Sequence, residues 1–361
     1  MPLVSAMDFR AKAPSTNATV GKQMLIRIDD DRLPMPPPPN ERLSSADRDV
    51  LQRWIDSGAP DGTCGSATAG GGGTGGVEME EPLPADVTCY DLKARASAAG
   101  DKYSVPTTPD LYQCFQYAAP WGSKKVQVVS AKPLIDNAQV IHHWNLYNSP
   151  DAVTDGTNGG CSGAHPNAAL ISGWAPGGRD LVMPPDVGLR TEPGGFSLEI
   201  HYNNKLGAGQ LDASGVRLCV TEKARPKEAA VHWLGTQSLN KLTATGTCTP
   251  TPLMQEPVTI ISSSPHMHLQ GRHMKTVINR KGGTTEVLID KPFDFNTQIA
   301  YPTPAVINPG DTLSTTCTYA TPTPFGQGTN EEMCYNFVTA YPAGGLAQLL
   351  QVLRKYDCSG L

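Results

Sequence analysis

Two kinds of apolar spacing divide this chain. Near the N-terminus Ser44 stands three residues before Asp47, as in a capping box, and Val50, Leu51, Trp54 and Ile55 follow at helical spacing. This predicts one helix, stopped by Gly58. From Val77 onward the spacing turns to alternating or β-branched runs, at residues 126–129, 140–147, 196–202 and 258–262. Turn clusters separate them, among them Thr154-Asp155-Gly156, Pro193-Gly194-Gly195 and Lys281-Gly282-Gly283. Short strands at this spacing predict an all-β fold of β-sandwiches, preceded by a short, mainly α or irregular N-terminal segment. Between the two patterns residues 65–76 are Gly, Ala, Ser and Thr with nothing to pack, a flexible linker. The expected division is therefore a leader over 1–63, a Gly-rich linker over 64–78, and two sandwich domains over 79–224 and 225–361.

Composition agrees with many turns. The chain has 361 residues, 36 of them Gly and 32 Pro, and only 17% are charged, against ~25% in an average soluble domain. The formal charge of -5 comes with no lysine-arginine stripe, so nucleic acid is not expected as a partner. No apolar run approaches the ~20 residues of a bilayer-spanning helix, and no membrane span is expected. No basic stretch followed by an apolar one opens the chain, so no export signal is visible. The nine cysteines include no C-x-x-C pair. Scattered through a turn-rich chain, they point to disulfides and a periplasmic or secreted location.

Five of the eight histidines fall into three short patterns. His142-His143 sits in a strand-like run. Neighbouring side chains of a regular strand point to opposite faces, so both rings reach one ion only if the strand bulges there. His201 follows Leu198-Glu199-Ile200, where a core histidine is the ordinary reading. In His266-Met267-His268 the two rings would share a strand face, about 7 Å apart at Cα. Imidazole suits Zn, Cu, Fe or Ni alike. Met333, in Glu331-Glu332-Met333-Cys334, changes that choice: a thioether beside His266 and His268 selects Cu(I).

Taken together these segments resemble the copper type II ascorbate-dependent monooxygenases, the family of the peptidylglycine α-hydroxylating and dopamine β-monooxygenases. The likeness runs from about Cys89 to Cys358, with a His-His doublet, Glu-x-His-Tyr, H-x-H and Glu-Glu-Met-Cys in the family's order. It implies two jelly-roll-like sandwiches and two separated copper ions. His142, His143 and His201 would hold the electron-transfer copper, with Tyr112 beside it. His266, His268 and Met333 would hold the copper that meets O2. It implies the disulfides Cys89–Cys219, Cys114–Cys161, Cys248–Cys358 and Cys317–Cys334, with Cys64 left over. The implied function is O2 activation and hydroxylation of a C–H bond of a small organic substrate, with ascorbate or another one-electron reductant. His165, His232 and His273 have no counterpart among the ligands.

Two positions depart from the peptide-amidating branch. Ser264 replaces an arginine that clamps the substrate carboxylate, and a hydroxyl cannot form that bidentate contact. Phe337 replaces a tyrosine. Both point away from a glycine-extended peptide. The N-terminal zone, with Met35-Pro36-Pro37 and the helix ending Trp54-Ile55-Asp56-Ser57-Gly58, resembles the distal half of a c-type cytochrome domain, and a cytochrome electron donor is the matching partner. The chain has no C-x-x-C-H, so haem is not expected in it. Two other readings stand beside the hydroxylase: a copper-binding or electron-transfer protein without substrate turnover, and a zinc hydrolase.

Overall fold

The computed structural model describes residues 9–13, 16, 18–32, 42–60, 84–96, 101–108, 110–149, 151, 153–161, 168–206, 208–248, 256–346 and 359–360. The chain forms two compact units, Met1–Glu81 and Pro82–Leu361.

In the first unit, helix α1 (Val20–Ile28) starts at Thr19, whose side chain accepts from the Lys22 amide. Helix α2 (Ser45–Asp56) starts at Ser44, whose hydroxyl oxygen accepts from the Asp47 amide, as the capping pattern predicts. The apolar face differs from expectation at one position. Ile55 is buried with Leu25 and Ile28, and Leu51 and Trp54 pack against them, but Val50 is 58% exposed. A core this small needs a narrow stripe of the helix. Met35, Cys64 and the Gly-rich linker lie outside the described residues.

The second unit is built of mainly antiparallel sheets, as the alternating runs suggest. Five strands carry the site: β1 (Leu111–Ala118), β2 (Ile141–Ser149), β3 (Gly195–Tyr202), β4 (Val258–His266) and β5 (Tyr335–Tyr341). One five-stranded sheet runs Asn158–Gly160, β1, β3, β2, Ala169–Trp174. A four-stranded sheet runs Thr243–Cys248, Thr312–Tyr319, Gly271–Asn279, Thr285–Pro292. A ten-stranded sheet runs on through the unit. Its main path is Val87–Lys93, Gly215–Thr221, Gln127–Leu134, Val187–Arg190, Lys227–Thr236, β5, β4, Tyr301–Ile307. Within it Val187–Arg190 pairs in parallel with Lys227–Thr236.

Alternation then separates core from site. Trp144 and Leu146 of β2 and Leu198 and Ile200 of β3 point into the first core with Val128 and Leu218. Leu234, Val258, Val338 and Ala340 meet Ile278 and Leu313 in the second. The opposite faces carry His143, Asn145, Tyr147, Glu199 and His201 on one side, and Trp233, Tyr335 and Phe337 on the other. Among the described residues the disulfides Cys89–Cys219, Cys114–Cys161 and Cys317–Cys334 are formed. Cys248 is also disulfide-bonded, while Cys358 and His165 lie outside the described residues.

Candidate metal centres

The strand register brings the first three histidines together. His201 of β3 pairs with His143 of β2 and with Tyr112 of β1. The next pair joins Tyr202 to Ile141, so His142 is the extra residue of a bulge. That bulge turns His142 toward the same side as His143. One nitrogen from each of His142, His143 and His201 then lies within 4.8 Å of the other two, and all three rings are buried.

Hydrogen bonding fixes which nitrogens face inward. Nε2 of His201 donates to Asp110 at 2.6 Å, and Nε2 of His142 donates to Asn296 Oδ1 at 3.3 Å. Nδ1 of His142 lies 3.0 Å from Nδ1 of His143, and the buried Nδ1 of His201 has no hydrogen-bond partner among the described residues. Two nitrogens 3.0 Å apart suit ligands of one ion, whose metal–nitrogen bonds are ~2.0 Å long. Burial, and then the neighbouring His142, pushes His201 down to about 4 despite Asp110. Burial likewise lowers His142, and holds His143 well below the usual imidazole range with His201 and His142 beside it. All three are neutral near pH 7, the form that binds metal. Tyr112 lies flat on His201, ring centroids 4.3 Å apart and planes 3° apart. Burial, above all, raises its phenol, which keeps its proton.

The second pair differs from the expected geometry. His266 is the last residue of β4, and His268 lies beyond the strand end. The rings therefore do not share a regular strand face. They come together because the chain turns, with Met267 fully buried between them and centroids 5.3 Å apart at 88°. Nδ1 of His266 donates to Gln298 Oε1 at 2.8 Å, and Nδ1 of His268 donates to the Glu331 carbonyl at 3.2 Å. Both Nε2 atoms are left with their lone pairs, the opposite nitrogen from the first site. Burial, then His268, takes His266 down to about 3, and burial takes His268 to about 4.

Met333, 5% exposed, precedes β5 and lines one cavity with His266, His268 and His143. The void is about 20 Å³, room for about one water-sized molecule. Tyr112, Glu199, Trp233 and Phe337 complete most of its wall. Phe295 stands between the two sets, stacked on His142 at 4.6 Å and edge-on to His268 at 6.2 Å. Phe337 stacks on His266 at 5.1 Å and pairs in register with Ser264, so the two departures from the peptide-amidating pattern are neighbours.

A second trio, Cys114, Cys161 and Glu199, is no ligand set, because its sulfurs form a disulfide. His232 is buried in its strand, and His273 meets Asp290 at 2.9 Å. Sequence reasoning had no signal for Asp110, Phe295, Asn296, Gln298 or Thr329. They are loop residues, and only the fold reveals their partners.

An all-β chain that gathers three imidazoles in one cluster, and lines a cavity with two more, a thioether and one ring of that cluster, has the donor chemistry of a two-site metalloprotein. Residues 97–208 match the N-terminal domain, and residues 233–354 the C-terminal domain, of the copper type II ascorbate-dependent monooxygenases, and the chain belongs to that family. Similar curated proteins include the dopamine beta-hydroxylase of Rattus norvegicus, 29% identical over 303 residues, covering 73% of this chain and 48% of the relative. The DBH-like monooxygenase protein 2 of Mus musculus is 31% identical over 299 residues, covering 73% and 47%. The chain thus spans about half the length of the curated relatives it matches. Likeness to solved structures is distant: the major capsid protein P2 from bacteriophage PM2 aligns at TM-score 0.32 and 9% identity, over 70% of this chain and 97% of that one. It carries no inference.

Proposed function

We propose that the chain is a copper-dependent monooxygenase that hydroxylates a C–H bond of a small organic substrate. The observation that carries this is the presence of two unlike donor sets, one of three clustered imidazoles and one of two imidazoles lining a cavity with a thioether, with His143 of the first set in the same lining. His142, His143 and His201 would hold one copper through Nδ1, and His266 and His268, through Nε2, would hold the other with Met333. Bound copper supplies one-electron chemistry, and the thioether-containing site favours Cu(I), the state that meets O2. The balance is RH + O2 + 2 electrons + 2 protons giving ROH + H2O, with ascorbate or another one-electron reductant as the electron source.

The chain's own residues set the conditions. Gln298 and the Glu331 carbonyl take the Nδ1 protons of His266 and His268, which keeps both Nε2 atoms as donors. Trp233, Phe337 and Phe295 close apolar surface around the reaction space and exclude water. Nothing in the described residues supplies the carboxylate clamp of a peptide-amidating enzyme. Disulfides fit work in an oxidising compartment. The cytochrome donor draws no support, since the family match begins at residue 97.

The test is reductant-dependent O2 uptake by copper-loaded protein with a panel of phenethylamines, other aromatics and short peptides, following 18O from O2 into product. Met333→Ala is expected to abolish labelled product while the trihistidine copper stays bound. Two bound coppers with no labelled product from any compound would instead make the chain an electron carrier. A single tightly held zinc would end the copper reading.

A further inference from the structure

Asp110 stands immediately before β1 with φ of 61°, in the left-handed region that a non-glycine residue adopts at some cost. That turn aims its side chain at two partners. One oxygen, Oδ1, accepts from Nε2 of His201 at 2.6 Å and also from the hydroxyl of Thr329. Since Thr329 gives its proton to Asp110, its oxygen accepts from the Tyr112 hydroxyl, 3.2 Å away. Tyr112 in turn lies flat on His201. The four residues close a ring in which every polar hydrogen has an assigned acceptor.

Thr329 comes from far along the chain, 219 residues from Asp110. It sits in a turn tied by the Glu331 amide to the Gly328 carbonyl at 2.9 Å, and by the Gly328 amide to the Glu331 carboxylate at 2.9 Å. The same turn offers the Glu331 carbonyl to His268 and leads into Met333. One short turn thus contacts His268 directly and reaches His201 through Asp110.

We propose that Asp110 is a positioning residue shared by the two sites: it holds His201 with Nδ1 inward, and through Thr329 it docks the turn that orients His268 and Met333. This rests on the copper reading above. Asp110 is 39% exposed, so solvent screens its charge and its leverage is geometric more than electrostatic. Outer partners of this kind commonly change metal affinity 10–100-fold.

The experiment uses the full chain loaded with copper and has two readouts. Chelator competition gives the affinity of the trihistidine site. The infrared stretch of carbon monoxide bound to reduced protein reports the His266/His268/Met333 site. Asp110→Ala is expected to weaken trihistidine copper by roughly 10–100-fold and to shift the carbon monoxide band. Thr329→Val, nearly isosteric and touching no candidate ligand, is expected to shift the same band while changing trihistidine affinity far less. An affinity within about twofold of wild type in Asp110→Ala, or a band unmoved in both variants, overturns the proposal. Asp110→Asn, which keeps an acceptor oxygen, guards against misfolding and should fall between wild type and Asp110→Ala on both readouts. Wild-type protein that takes up no copper would remove the copper reading and this inference together. Normal wild-type spectra with silent variants would remove this inference alone.

Discussion

Glu332 is fully buried, yet both its oxygens are engaged. Oε2 accepts from the amides of His268 at 2.9 Å and Met333 at 3.1 Å, and Oε1 from the Gln270 amide at 2.6 Å. One side chain therefore fixes the backbone at two candidate ligands that are 65 positions apart. Burial raises its pKa, while these amides favour the charge. Glu332→Gln puts an NH2 group against donors that need an acceptor, and should cost about 2–4 kcal/mol of stability in urea unfolding. An unchanged midpoint would mean that the native carboxyl carries a proton. At this scale the sequence was legible where the residue type itself carries chemistry: the His-His doublet, H-x-H and Met333 stand out by composition. Asp110, Asn296, Gln298 and Phe295 do not. Asp, Asn and Gln are ordinary loop residues, and their role comes from partners such as His142, 154 positions from Asn296.

Elements explain how distant residues become neighbours. The doublet required a bulge if both rings were to serve one ion, and the pairing of β2 with β3 supplies it at His142. Strand period could not show that β4 ends at His266, because strand ends are set by tertiary pairing, not by local pattern. Beside Met333, the Cys317–Cys334 disulfide spans 17 residues, worth on the order of 3 kcal/mol in the loop-entropy model. Packing there is tight: a Cβ at Gly235 would lie 1.8 Å from the Cys334 carbonyl oxygen. Replacing both cysteines with Ala should cost about 2–4 kcal/mol, and should weaken copper at the His266/His268/Met333 site more than at the trihistidine site. Equal losses at both would show that the bridge serves only the fold.

Asp311 is 4% exposed in the turn before Thr312–Tyr319. Burial opposes its charge, but the Lys281 and Asn308 amides and the Arg280 guanidinium prevail, and its pKa ends below the ordinary 3.8. A depressed acid stabilises the fold above its unfolded pKa, and that contribution is lost as pH falls through the folded value. Asp311→Asn should therefore cost about 1–3 kcal/mol near pH 7. The gap from wild type should close below about pH 4. A gap constant with pH would contradict the charge-based account.

At the scale of the whole molecule, the two largest apolar clusters and both candidate sites lie within Pro82–Leu361, while Met1–Glu81 has its own small core. The all-β class was legible because strand runs and turn clusters repeat throughout. The continuous ten-stranded sheet was not, since the parallel pairing of Val187–Arg190 with Lys227–Thr236 leaves no local trace. Protein beginning at Pro82 should bind as much copper per chain as the full chain, as measured by metal analysis. Loss of one equivalent would assign the first unit a part in a site.

The central claim is that the Met333 sulfur shares one copper with His266 and His268. X-ray absorption at the copper edge of fully reduced, copper-loaded protein addresses it directly. The account predicts a sulfur scatterer on one of two coppers, absent in Met333→Ala while the nitrogen shells persist. Nitrogen and oxygen scatterers alone in the wild type, or a sulfur signal that survives the substitution, would contradict it.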